Sequence, residues 1–240
     1  MATQAEINSY LFKYRLIILI YMVFWWLESM KRFYELNKIW PIMFTHWTTS
    51  MQIIDLFHKY LKHKSWLKTG KVEQEQQSVL SKLTFASSIL VTVLFWLLVL
   101  PAKKRLDPKY EITTGEVHAH GINVLVCVFE NFYFFLLNFN KLTEKSFYSN
   151  LKLINYKKPF IGLQVYISSY FLFSFIYWLF DKKNNIVYEA MNFNNPKNAI
   201  FISSFIFFII SPLFIYTAFL FEFIIKNAFM KIFLKIQKSN

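Results

Sequence analysis

The chain has 240 residues, of which 55% are hydrophobic and 21% aromatic, with 29 Phe and a mean hydropathy of +0.32. Its charged share is 17% against about 25% in soluble domains, which excludes an ordinary soluble enzyme and indicates an integral membrane protein of one domain. The net charge of +13 does not indicate nucleic acid as a partner, because Lys and Arg lie between apolar segments rather than along one face.

The chain opens with MATQAEINSYLFKYR, and Leu16–Leu27 then runs uncharged as far as Glu28. A basic start before an apolar run resembles a secretory leader, but no small-residue cleavage site follows, and Trp25 and Trp26 suit an interfacial belt. The expectation is a retained helix over 13–29, with Lys13 and Arg15 snorkelling to lengthen the span toward the ~20 residues a bilayer needs. A second helix is expected over 39–58, with Pro41 in its first turn, where a missing N–H costs least. It is unusually polar: Thr45, Thr48, Gln52 and Asp55 recur at helical spacing and form an inward face, while His46, His58 and His63 are expected at the interface. A Lys-rich loop carrying Glu73 and Glu75 follows.

The third helix, 83–100, is uncharged and is expected to stop at Pro101. The basic turn KKRLDPKYE leads to a fourth helix over 117–140, in which steps of three and four place His120, Asn123, Cys127, Glu130 and Phe134 on one face. A carboxylate within a membrane helix is expensive unless it is paired or neutralised, so Glu130 marks that face as inward. Cys127 is the only cysteine, so no disulfide framework or zinc cluster is available, and His118 and His120 diverge by about 200° on a regular helix and cannot jointly hold a metal. No metal and no cofactor are expected. A fifth helix over 160–180 and a sixth over 199–225, kinked at Pro212, are strongly apolar, and a basic tail with Lys226, Lys231, Lys235 and Lys238 ends the chain. The pattern predicts an all-α, polytopic membrane protein: six transmembrane helices in one bundle, a single domain over 1–240.

With six spans, the termini and the even loops share a side and hold 17 Lys and Arg against 10 on the other, so both termini are expected on the cytosolic-equivalent side. The second and fourth helices then enter from the opposite side. Thr45 and His120 lie at similar depth, and ten residues further on Asp55 and Glu130 again share a level. Two acids that close would share a hydrogen-bond network, and one of them is expected to carry a proton. A threonine hydroxyl attacks an ester only when a base takes its proton, and histidine is the base suited to neutral pH. Thr45 and His120 are therefore candidate catalytic residues, with Asn123, Gln52, Asp55 and Glu130 supporting the site. The same side chains also suit plain interhelical contact, at about 1 kcal/mol each.

The segment FTHWTTSMQ (Phe44–Gln52), followed after one intervening helix by HGINVLVCVFE (His120–Glu130), resembles the family of androgen-induced and rolling-stone membrane proteins. Thr45, Trp47, Gln52, His120 and Glu130 fit that family's spacings; where some of its enzymes carry a second His three residues before the base, Val117 stands here. The resemblance implies six helices and hydrolysis of fatty acid esters of hydroxy fatty acids, with Thr45 as nucleophile and His120 as base. The implied partners are the bilayer and a lipid substrate, in an endomembrane or the plasma membrane. The alternative is a non-catalytic membrane protein, either a fusion-type factor or an accessory subunit with membrane-protein partners, for which the mitochondrial inner membrane is a further location.

Overall fold

The computed structural model describes residues 4–36, 44–69, 78–138, 157–180, 182 and 192–239. Among them all regular structure is helical and there is no strand. The helices are α1 (Gln4–Leu36), α2 (Phe44–Thr69), α3 (Val79–Leu94), α4 (Leu100–Leu106), α5 (Thr114–Val117), α6 (Asn123–Asn138), α7 (Lys157–Phe180), α8 (Pro196–Phe205) and α9 (Ser211–Ser239). Three pairs run on into one another through a single π-helical turn: α3 to α4 through Phe95–Val99, α5 to α6 through His118–Ile122, and α8 to α9 through Ile206–Ile210.

Four stretches are long and apolar enough to cross a membrane: Ser9–Lys31, Val79–Leu97, Lys157–Phe180 and Pro196–Phe221. The two remaining rods, α2 and α5–α6, carry the polar faces and are not among these four candidate spans within the described residues. The expected start of the second helix at Ile39, its Pro41, and Glu73 and Glu75 lie outside the described residues.

Two expected boundaries move. α2 does not stop at His58 but continues to Thr69, because Lys59 and His63 turn inward to buried partners instead of marking a loop. The third helix does not end at Pro101. The π turn carries the Leu100 N–H back to the Phe95 carbonyl, and Pro101 then falls in the first turn of α4, where it has no interior hydrogen bond to break. Pro212 is handled in the same way. The preceding π turn resets the ladder, and the Ser211 hydroxyl donates to the Phe207 carbonyl at 3.0 Å. The basic tail is the uninterrupted end of α9.

α3 is the hub, packing against α2, α6, α7 and α9. It is suited to this because its buried side chains are small and mixed: Ser81, Thr84, Ala86, Ser87 and Ser88 alternate with Phe85, Ile89 and Leu90. The hydroxyls of Thr84 and Ser87 return to their own backbone at 2.9 Å, so neighbouring helices come close without orphaning a donor. α7 meets α3 at Gly162, where a Cβ would lie 2.7 Å from Leu83 Cδ1. Leu163 and Ile167 on α7, with Phe214 and Ala218 on α9, complete the apolar core around Cys127.

The connection from α4 to α5 is tied by a polar latch. Lys103 Nζ meets Glu116 Oε1 at 2.6 Å and donates to the Tyr110 hydroxyl at 2.9 Å, and that hydroxyl donates to Glu116. Thr113 and Glu116 form a reciprocal capping box that starts α5. Partial burial alone would raise the Glu116 pKa, but hydrogen bonds from Lys103, Tyr110 and the Thr113 N–H outweigh it and hold the carboxyl at about 2. A carboxyl whose folded pKa is depressed stabilises above its unfolded value, and that contribution is lost as the pH falls. The latch should therefore weaken from pH 4.5 down to about 2. Thermal unfolding of Lys103→Met and wild type should differ at neutral pH and converge as the pH falls through that range.

Candidate functional site

α2 and α5–α6 lie side by side in a fixed register. Asn123 Nδ2 donates to Thr49 Oγ1 at 3.0 Å and to the Ala119 carbonyl at 2.9 Å. One turn deeper, Gln52 Nε2 donates to the Asn123 carbonyl at 2.8 Å and to Cys127 Sγ at 3.2 Å. Deeper still, Lys59 stands between Asp55 and Glu130. Gln52 and Cys127 are 75 positions apart, as are Thr45 and His120, so the matched depths read from the sequence recur along the whole face.

At the shallow end Thr45 is buried, and its carbonyl accepts from the Thr49 hydroxyl at 3.0 Å. Thr48 is paired with the Tyr166 hydroxyl of α7 at 3.1 Å, and Phe44 and Trp47 pack on Tyr166 and Tyr170. His120 belongs to the π turn. Its ring lies flat on Phe95, with centroids 3.8 Å apart and planes 2° apart, and its carbonyl accepts from Trp96 Nε1 at 3.1 Å. Two π turns thus meet at this residue. His120 Nδ1 is buried with no hydrogen-bond partner among the described residues, so that nitrogen is not bonded to Thr45. His118 faces the other way, as its spacing from His120 requires, and pairs with the Tyr21 hydroxyl at 2.7 Å while stacking on Trp25 of α1.

At the deep end the two acids do share a network, and two cations stand between them instead of the direct acid-to-acid contact from which protonation of one acid is expected. Arg15 of α1 grips Glu130 with two nitrogens, Nη2 to Oε2 at 3.0 Å and Nε to Oε1 at 3.4 Å. Lys59 Nζ lies 2.7 Å from Asp55 Oδ2 and 3.4 Å from Glu130 Oε2. Asp55 Oδ1 also accepts from Ser81 at 2.8 Å and Ser78 at 3.4 Å. Arg15 Nη1 is 3.3 Å from His63 Nδ1, which must be the acceptor because a guanidinium only donates. Arg15 therefore does not snorkel: its side chain is 1% exposed. His46 and His63 are buried rather than interfacial, and His58 is exposed.

Sequence reasoning found Asp55 and Glu130 but missed Arg15, Lys59 and His63. Lys59 was detectable as the residue four past Asp55 on one helix face, and Arg15 as a cation inside an apolar run. Among the described residues no group of three His, Cys, Asp or Glu side chains is placed to hold a metal ion. A cleft of about 390 Å³ lined by Gln164, Val165, Ser168 and Phe207 opens on the face of α7 turned away from Tyr166, so it does not serve the Thr45 end. No protein-family model matches the chain, and neither curated proteins nor solved structures give a significant match.

The ion network makes a firm demand on folding. Removing one partner of a buried pair strands the other, at about 3–5 kcal/mol. Glu130→Gln should therefore lower the unfolding temperature sharply by leaving Arg15 uncompensated, and adding Arg15→Met should recover part of the loss. If Glu130→Gln melts like wild type in detergent, the ion pair does not support the fold.

Proposed function

We propose that the protein is an integral membrane hydrolase of long-chain esters, with Thr45 as nucleophile and His120 as base. The observation that carries this reading is the common register of α2 and α6, which brings the Thr45 turn and the His120 turn to one level through the Asn123–Thr49 bond. His120 Nδ1, buried and unbonded among the described residues, can take a proton in the tautomer that carries hydrogen on Nε2. The resemblance carried by Thr45, Trp47, Gln52, His120 and Glu130 agrees with this chemistry and suggests a fatty acid ester of a hydroxy fatty acid as substrate. In that reaction His120 takes the Thr45 proton, Thr45 attacks the ester carbonyl, and the alcohol leaves with the proton that His120 returns.

One observation favours a second reading. The His120 ring stacks on Phe95 instead of bonding to Thr45, which is packing geometry and suits a non-catalytic membrane protein such as a fusion-type factor or an accessory subunit. The two are separated by assay of purified protein on a long-chain branched ester, together with labelling by a fluorophosphonate or activated-ester probe. Thr45→Ala, His120→Ala and the double variant should lose nearly all turnover to a similar extent, because groups acting as one unit are not additive. Thr45→Ser should keep part of it. Full labelling of Thr45→Ala removes Thr45 as nucleophile, and folded wild type with neither turnover nor labelling supports the non-catalytic reading.

The topology that goes with the proposal has all six rods crossing the bilayer, α2 and α5–α6 shielded by the four apolar ones, and both termini on the cytosolic-equivalent side. Tags at the two ends should be protected or accessible together in sealed vesicles; opposite accessibility rules this topology out.

A further inference from the structure

Between the two ends of the polar face lie two amide side chains whose oxygens have no donor. Asn123 is 0% and Gln52 2% exposed, and among the described residues no group donates to Asn123 Oδ1 or Gln52 Oε1. Reversing either amide does not repair this. Asn123 Nδ2 already donates to the Ala119 carbonyl and to Thr49 Oγ1, whose own proton is committed to the Thr45 carbonyl. A reversed Asn123 would set an oxygen against both of those acceptors. Gln52 Nε2 donates to the Asn123 carbonyl, and reversal would place two carbonyl oxygens face to face. The orientation of both amides is therefore set by their neighbours, and the two acceptors belong to residues that are themselves joined by the Gln52 to Asn123 hydrogen bond. A buried polar group left without a partner costs several kcal/mol in an apolar interior, so the pair calls for a small ligand that donates hydrogen bonds.

A cation is the less suitable ligand. It would bring net charge, and the nearest carboxylates, Asp55 and Glu130, are committed to Lys59 and Arg15. Water brings two donors and no charge, and buried waters typically make about three hydrogen bonds to groups otherwise unsatisfied. The Asn123 amide also lies one turn from His120 and is linked to the Thr45 turn through the Thr49 hydroxyl.

We propose that Gln52 and Asn123 hold a buried water molecule, and that this water releases the acyl group from Thr45; the second half rests on the hydrolase reading. A threonine ester formed away from bulk solvent needs a delivered nucleophile. The water oxygen bonds to the acyl carbonyl carbon while His120 takes one water proton. The bond from that carbon to Thr45 Oγ1 then breaks, His120 returns the proton to Oγ1, and a free carboxylic acid leaves. Gln52 and Asn123 act here as positioning residues that hold the resting water through its two hydrogens; for attack one hydrogen turns from an amide oxygen to His120, the other stays bonded, and a lone pair meets the acyl carbon.

The test uses the full chain in lipid nanodiscs, as wild type and as Gln52→Met, which keeps the volume and removes the oxygen. A wild-type density map resolving waters should show a peak about 3 Å from both oxygens, absent from Gln52→Met of similar melting temperature. Oxygens without a peak, or a peak that rubidium replaces, overturn the water site. With ester substrate, Gln52→Met should accumulate the Thr45 acyl adduct, read by intact mass, about tenfold above wild type while turnover falls to a similar degree. Turnover falling without the adduct overturns the role in release. A peak in a wild type that neither turns over nor labels leaves the water site standing and removes both its catalytic role and the hydrolase reading. Should Gln52→Met fail to fold, the wild-type map alone decides the water site: a peak about 3 Å from both oxygens supports it and the lack of one overturns it.

Discussion

Four charges placed inside an apolar helical protein govern how it assembles. Arg15, Lys59, Asp55 and Glu130 come from three helices, and none can be buried alone, because desolvating a single ion costs several kcal/mol more than any packing contact returns. They balance as two cations and two anions, with Arg15 joining α1 to α6 and Lys59 joining α2 to α6. Asp55 also reaches the start of α3 through Ser78 and Ser81. The network thereby fixes which helices are neighbours and at what depth each sits, and the apolar core is left to supply close packing rather than specificity.

From that anchor the register propagates along α2 and α6. Helices locked at Glu130 and again at Gln52 and Asn123 cannot slide by a turn without breaking both sets of contacts, so the Thr45 and His120 turns arrive at one level. The shallow end is more loosely determined. Its hydroxyls bond to backbone carbonyls and to α7, and His120 is held by Phe95 and Trp96 of the neighbouring π turn. The polar face is thus tightly paired at depth and, among the described residues, holds unbonded acceptors toward its shallow end.

The π turns explain how interrupted helices remain continuous. Two accommodate Pro101 and Pro212 by admitting the missing donor where the hydrogen-bond ladder is already widened. The third has no proline and carries His118 and His120, turning one imidazole toward α1 and the other toward α3. A π turn at a candidate site is a recurrent feature of functional helices.

The sequence by itself determined the membrane class, the all-helical content, the approximate position of every rod and the inward polar faces of α2 and α6. Those follow from composition and the 3.6-residue period, which are local properties of the chain. It also determined the matched depths, since helical rise converts residue number directly into distance. Only the tertiary structure decided what those faces meet. Whether Arg15 snorkels or turns inward depends on Glu130, 115 positions away, and no local pattern records that. The same holds for Lys59 and His63, which read locally as a loop and an interface, and become interior once an acid and a guanidinium stand opposite them. The ring of His120 likewise goes where Phe95 of another helix receives it, because the energy of burying a polar group is set by its partner and not by its own position in the chain.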